Sequence, residues 1–327
     1  MPSAKIVGTG AYLPSRVLTN AELEKTVETS DEWILTRTGI AERHICADGE
    51  ATSDLAARAA LEALTAAQVD PADLDMILVA TVTPDFFFPS TACLVQDRLG
   101  ARRAGAVDLS AACSGFVYGL AMADGLIRMG TARTVLVIGA ETLSKIVNWQ
   151  DRNTCILFGD GAGAVLLRAD EGPRGILSTH LFADGGKGAT LMMPGGGSRN
   201  PISQSLLDSG LYKIQMANGN EVFKLAVRAM EDAAIIALKQ NGLEVSDIDL
   251  LVTHQANLRI IHALGQRLGV PHDKVYVTIR EHGNTSAASI PLALHQAVGA
   301  GRLKPDDLVL LCAFGGGLTW GSAVLRW

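Results

Sequence analysis

Asp108-Leu109-Ser110-Ala111-Ala112-Cys113-Ser114-Gly115-Phe116 is the stretch around which the fold can be read. The apolar run Ala104–Val107 before it reads as the end of a buried strand. The small-residue run from Phe116 to Met129 reads as a helix. Cys113 is therefore expected where a strand turns into a helix. There the positive end of the helix dipole lowers a thiol pKa and enriches the reactive thiolate. The neighbours Ala111, Ala112, Ser114 and Gly115 are small and leave the sulfur approachable. The same residues also describe a cysteine packed in an alanine-rich core. The rest of the chain has to separate the two readings.

Outward from this stretch, short apolar runs alternate with helical patterns, as in an α/β protein with a largely buried sheet. Met76–Ala80, Thr134–Gly139, Leu250–Val252 and Leu308–Cys312 are the clearest runs. They repeat in order. Leu55 and Leu225 open similar helices 170 residues apart, Asp75 and Asp249 precede similar strands 174 apart, and Val135 and Val309 are again 174 apart. A near-constant offset across separate elements indicates a duplicated half. We place the boundary near Glu171–Gly175, giving halves 1–173 and 174–327. Adding 173 to Cys113 gives Ser286, in His282-Gly283-Asn284-Thr285-Ser286-Ala287-Ala288, another small-residue turn that opens a helix (Ile290 to Val298). The two turns are expected to face each other across a pseudo-two-fold axis. His254 falls at the carboxyl end of the strand Leu250–Thr253, where open α/β sheets place ligands.

Composition narrows the function classes. The chain has 327 residues, 48% of them hydrophobic and 19% charged, with a net charge of −6. Few charges imply extensive burial, part of it in a subunit interface. An acidic balance argues against nucleic-acid binding. No apolar run is long enough for a membrane span, and the N-terminus reads as a first strand instead of a signal peptide. Cys46, Cys93, Cys113, Cys155 and Cys312 are odd in number and lack C-x-x-C spacing, so neither a disulfide framework nor a metal site is expected. A cytoplasmic location fits.

A cysteine nucleophile needs a histidine to take its proton or to hold charge beside it. His254 has the best position. Asn284 is favoured over His282 as the working side chain of its turn. A neutral His and an Asn aimed at one point form two hydrogen-bond donors, which stabilise an oxyanion or enolate by about 3–4 kcal/mol per donor. Phe314-Gly315-Gly316-Gly317 lets backbone N–H groups approach a ligand closely.

Ala112-Cys113-Ser114-Gly115, His254-Gln255-Ala256-Asn257, His282-Gly283-Asn284-Thr285-Ser286 and Phe314-Gly315-Gly316-Gly317 occur in this order, preceded by Asp31-Glu32-Trp33-Ile34 and Arg37-Thr38-Gly39-Ile40. Together they resemble the β-ketoacyl-[acyl-carrier-protein] synthase III family, over essentially the whole chain. The resemblance implies the five-layer αβαβα thiolase-like fold and a homodimer. It implies that Cys113 takes the acyl group of a short acyl-CoA, acetyl-CoA above all. His254 and Asn284 would then stabilise the enolate left when malonyl-acyl-carrier protein loses CO2. Cys113 and Gly316 would supply the oxyanion hole. No metal or organic cofactor is implied.

The resemblance further assigns Trp33 and Arg152 to the two faces of the CoA adenine, with Thr29, Arg37 and Asn257 nearby. Phe88 and Leu157 would close the acyl pocket. Gln255, Ala256, Asn257, Leu258, Arg259 and Lys224 would receive the carrier protein. Met216–Asn220 reads as an insertion, and with loop 195–198 it is expected to border the acyl channel. Three other readings remain open on sequence: a starter enzyme of quinolone or polyketide synthesis, a non-catalytic acyl-CoA-binding protein, and a Cys-His thioester hydrolase.

Overall fold

A computed structural model describes residues 2–327. Two five-stranded sheets carry it. The first holds β1 (Ser3–Tyr12), β2 (Met76–Ala80), β3 (Gly105–Leu109), β4 (Thr134–Glu141) and β5 (Gly161–Asp170), in the order β3-β2-β4-β5-β1. The second holds β6 (Gly175–Ala183), β7 (Leu250–Thr253), β8 (Val275–Tyr276), β9 (Leu308–Gly315) and β10 (Thr319–Arg326), in the order β8-β7-β9-β10-β6. The two orders match strand for strand, as do the pairings: two parallel ones, then two antiparallel ones. Even the register repeats. Met76 pairs with Val135, and Leu250 with Val309, each partner 174 residues further on. The duplication is thus a property of the backbone.

Helices complete five layers. α2 (Thr52–Ala67) and α3 (Thr91–Leu99) cover the outer face of the first sheet; α5 (Gly219–Gln240) and α6 (Leu258–Leu268) cover that of the second. Between the sheets lie α4 (Gly115–Arg128) and α7 (Ser289–Gly299). A short helix, α1 (Asp31–Thr38), starts from the Ser30 cap, whose hydroxyl accepts from Trp33 N. Central strands are apolar throughout because both of their faces are covered: β4 and β9 are buried at every position. One apolar cluster runs from Leu78 and Val137 through Phe116, Leu120, Ile290 and Leu294 to Val252 and Leu311. The boundary expected at 173/174 falls in the link between β5 and β6. The cluster spans that boundary, so the two halves share their middle layer.

The structure corrects three expectations here. β3 is an edge strand instead of a buried one, with Val107 40% exposed. The helix expected from Leu225 starts earlier: Asn218, within Met216–Asn220, caps α5, accepting from Asn220 N and Glu221 N, and the helix begins six residues before Leu225. The partner of Cys113 is also one residue off. Ala112 (φ +45°) and Ser286 (φ +49°) are the matching left-handed residues, 174 apart, so Cys113 corresponds to Ala287 and Asn284 to Ser110. The two turns do pack together, since a Cβ on Gly115 would lie 3.7 Å from the Ala287 Cβ.

The second turn also packs on β4, closely enough to demand glycine at one position. A Cβ built on Gly139, in β4, would lie 2.1 Å from the Ala287 carbonyl oxygen. Gly139→Ala should destabilise the chain by about 2–3 kcal/mol, as overpacking against backbone does. Thermal unfolding measures it, and an unchanged melting temperature would contradict the packing described.

Candidate active site

Cys113 lies in a single 3-10 turn, Ala112–Ser114, between β3 and α4. The turn is pinned from the other half: Ser114 Oγ donates to Thr319 O (2.9 Å) and Thr319 Oγ1 donates to Ala111 O (2.8 Å). A Cβ on Gly315 would come within 2.7 Å of Cys113 N, so glycine is what lets this strand end pass the Cys113 backbone. Neither the Cys113 nor the Gly316 N–H has a hydrogen-bond partner among the described residues, which leaves both free for an oxyanion.

The thiol differs from expectation. It does stand at the start of a helix, yet burial pushes its pKa up to about 12; the Ser286 hydroxyl opposes this and the Glu141 carboxylate adds to it. Desolvation outweighs the dipole because the residue is buried, with 9% exposure. The resting group is a thiol.

His254 follows β7 and is 2% exposed. Burial lowers its pKa to about 3, so the ring is neutral at physiological pH. Its Nδ1 lies 2.7 Å from Ser289 Oγ, which also accepts from Gln255 N (3.3 Å). The Ser289 hydroxyl has no other acceptor among the described residues, so it donates to Nδ1 and leaves the ring hydrogen on Nε2. The orienting group is thus a serine, not a carboxylate.

Asn284 is fixed on both sides. Its N–H donates to Leu157 O (2.8 Å), and its carbonyl accepts from Gly159 N (3.1 Å). Its side-chain Oδ1 accepts from Ser286 N (2.9 Å), which commits the oxygen and leaves the Nδ2 hydrogens for a ligand. Neighbouring Gly283 has φ +64°, and its Cβ would lie 3.0 Å from Leu157 O, so glycine is required there. The loop between β4 and β5 thus buttresses the Asn of the second half. The tight turn between β9 and β10 buttresses the Cys of the first.

Cys113, His254 and Asn284 meet on the wall of one cavity of about 390 Å³, which runs outward past Leu157, Asn257 and Arg259 to Trp33 and Arg37. A second cavity, of about 360 Å³, reaches Cys113 from the far side. Its walls include Val82, Leu143, Ile146, Met192, Met193 and Ile214, together with Gly316. It is largely apolar, and none of those six side chains stood out in the sequence, because single apolar residues on separate loops carry no motif. Among the described residues no group of three or more His, Cys, Asp or Glu is arranged to hold a metal ion.

The remaining expected residues divide. Asn257 caps α6, accepting from Arg259 N, and its Nδ2 donates to Arg37 O (3.0 Å). Arg152 Cζ lies 5.0 Å from the centre of the Trp33 ring and Arg37 Cζ 5.6 Å from it. The guanidinium of Arg152 stacks on the indole directly, leaving no room for a flat base until Arg152 swings away. Thr29 does not line the cavity. Nor does Phe88 line either cavity of this chain: it is 86% exposed. Gln255 offers nothing to a partner. It is 1% exposed, donates to Thr253 O and Tyr276 O, and accepts from Thr278 N. Ala256 and Leu258 are half-buried, while Arg259 and Lys224 are exposed. Loop 195–198 lines neither cavity, whereas the flanking Met192, Met193 and Ile214 do.

A buried Cys at a helix start, a neutral His and an amide donor between duplicated sheets fit a thiolase-fold condensing enzyme, one that joins two acyl units through carbon. Residues 107–185 match the family model of 3-oxoacyl-[acyl-carrier-protein] synthase III, and residues 238–327 match the model of its C-terminal part. The β-ketoacyl-[acyl-carrier-protein] synthase III proteins of Caldanaerobacter subterraneus subsp. tengcongensis and of Xylella fastidiosa (strain 9a5c) are each 56% identical, over 99% of this chain and 98% of their own. The crystal structure of 3-oxoacyl-[acyl-carrier-protein] synthase III from Aquifex aeolicus VF5 matches with a TM-score of 0.93 at 50% identity, covering 99% of this chain and 100% of that one. The chain belongs to the β-ketoacyl-[acyl-carrier-protein] synthase III family. It is an acyltransferase that performs the initiating condensation of fatty-acid synthesis, and a role in quinolone or polyketide starter chemistry is not favoured.

Proposed function

We propose that the chain condenses a short acyl-CoA primer, acetyl-CoA above all, with malonyl-acyl-carrier protein. The observation that carries this is the convergence of Cys113, His254 and Asn284 on one cavity, with a second, apolar cavity behind the sulfur. The Cys113 sulfur attacks the primer carbonyl, the new C–S bond forms, and CoA leaves. The acyl chain then lies in the apolar cavity. His254 Nε2 and Asn284 Nδ2 donate to the thioester carbonyl of the malonyl group. As its C–C bond breaks and CO2 departs, they hold the enolate. The enolate carbon attacks the acyl carbonyl, the N–H groups of Cys113 and Gly316 hold the oxyanion, and the C–S bond to Cys113 breaks. Decarboxylation itself supplies the carbon nucleophile, so the proposal needs no organic cofactor and no metal.

Trp33, Arg37, Arg152 and Asn257 lie at the cavity mouth or beside it, which supports their binding CoA, with Arg152 turning off Trp33 to admit the base. Exposed Arg259 and Lys224 support a carrier-protein contact there, whereas buried Gln255 takes no part. The uncovered edge of β3 and the exposed Phe86, Phe87 and Phe88 support a homodimer in which Phe88 of one subunit reaches toward the primer cavity of the other. No helix among the described residues is long and apolar enough to cross a membrane. Five free cysteines support a reducing, cytoplasmic setting.

Product analysis tests the reading. With malonyl-acyl-carrier protein and a panel of acyl-CoA primers, short primers should give 3-ketoacyl-carrier protein, CoA and CO2. Turnover of malonyl-CoA with none of malonyl-carrier protein would overturn it, as would thioester hydrolysis without any C–C product.

A further inference from the structure

Arg43 belongs to a two-stranded ribbon, Arg16–Thr19 paired with Glu42–Ile45, and has no exposure to solvent. Burial lowers its pKa to about 10, so the guanidinium keeps its charge at neutral pH. No carboxylate pairs with it among the described residues, and its Nε has no hydrogen-bond partner among them. A buried charge without a counter-charge is costly, and an apolar side chain of similar length would fill the space at less cost. Packing therefore gives no reason for an arginine here. Its contacts do.

Arg43 and the residue after it hold one segment at both ends. Arg43 Nη2 donates to Ile156 O (2.7 Å), and Asp160 N donates to His44 O (2.8 Å). Residues 156–160 lie in no helix or sheet, Phe158 making a single bridge to Asn284, so such contacts set their place. Within this segment Leu157 and Gly159 hold the N–H and the carbonyl of Asn284. The stem of Arg43 closes on the same spot. A Cβ on Gly159 would lie 2.9 Å from the Arg43 Cβ, and one on Gly283 3.1 Å from it. Arg43 thus stands directly behind the two backbone bonds of Asn284. Its other arm is fixed as well: Nη1 donates to Asn20 Oδ1 (2.8 Å) and Leu18 O (3.2 Å). Asn20 Nδ2 in turn donates to Ile40 O and to Asp31 Oδ1, each at 2.8 Å, and Asp31 opens α1.

We propose that Arg43 is a positioning residue for decarboxylation: by holding the Ile156 carbonyl and backing Gly159 and Gly283, it sets where the Asn284 amide meets the malonyl thioester. This rests on the reading of Asn284 as a donor to that carbonyl. Arg43 lines neither cavity, so it acts through Asn284 and not on the substrate. The planar guanidinium suits the task because its donors leave in fixed directions, one arm to Ile156 and the other to Asn20, whereas a lysine offers a single movable point. Small displacements matter here, since a shift of about 1 Å in a catalytic group costs on the order of 10²-fold in rate. Acylation of Cys113 relies on a different support, the turn pinned through Ser114 and Thr319, which takes no hydrogen bond from Arg43. Loss of Arg43 should therefore fall on one half-reaction.

The test measures CO2 release from malonyl-carrier protein and mass gain at Cys113 from acetyl-CoA as separate rates. Arg43→Met and Arg43→Lys are each made with Asn284 intact and with Asn284→Ala. Arg43→Met should slow decarboxylation by about 10–100-fold, while acylation stays within about threefold. Arg43→Lys, which keeps the charge and one donor, should slow decarboxylation less than Arg43→Met does. In the Asn284→Ala background, Arg43→Met should cost less than about twofold more, because the donor it places is already gone. Decarboxylation by Arg43→Met at the unaltered rate would overturn the proposal alone. So would an equal loss of both half-reactions, or the same fold-loss with and without the Asn284 side chain. If Asn284→Ala by itself left decarboxylation unchanged, the reading of Asn284 would fall and this proposal with it. Should Arg43→Met not fold, Arg43→Lys decides by the same criteria.

Discussion

Cys113→Ala should leave the chain folded and unable to take up a primer. After incubation with acetyl-CoA, intact mass should show the gain of about 42 Da in the unaltered chain and none in the variant, because the sulfur is the only atom that bonds to the acyl carbon. Condensation should fall by at least about a thousandfold. The substitution removes one buried sulfur and no hydrogen bond, so the fold should lose about 1 kcal/mol or less. Decarboxylation of malonyl-carrier protein should persist in it, since His254 and Asn284 remain in place on the cavity wall. An acyl adduct on the variant would remove Cys113 from its role.

Asn284→Ala should divide the two half-reactions in the opposite way. Acylation of Cys113 should stay within about threefold, while decarboxylation should fall by about 10²–10³-fold, the usual effect of losing one donor to a developing oxyanion. The structure makes this a clean deletion. The backbone of Asn284 is held by Leu157 and Gly159, so the loop keeps its place when the side chain goes. Ser286 N loses its acceptor, a modest local cost. Initial rates of CO2 release and of adduct formation measure the two steps separately. Equal loss of both would show that Asn284 acts on the primer as well.

What the sequence revealed and what it hid have physical reasons. Strands such as Thr134–Gly139 are legible because covering both faces leaves no polar position to blur them. The repeat is legible because parallel pairing fixes register, and one register occurs twice. Cys113, His254 and Asn284, which meet on one cavity wall, are legible because each lies in a run of small or polar residues that packing alone does not call for. The one-residue error in matching Cys113 to Ser286 came from a turn, where spacing is free and only the left-handed residues Ala112 and Ser286 anchor the comparison. The sign of the Cys113 shift was out of reach because a dipole is local in sequence, while desolvation comes from residues far along the chain. Ser289 was missed for a similar reason: it meets His254 only because α7 packs behind β7.

The crossed support of the site constrains how this chain can change over generations. The loop of the first half carries Asn284 of the second, and the turn of the second half presses on Cys113 of the first. A substitution at Leu157 or Gly159 is therefore inherited as a change at Asn284, and one at Gly315 as a change at Cys113. The two copies, once equivalent, no longer drift independently, and each is under selection for the chemistry of its twin.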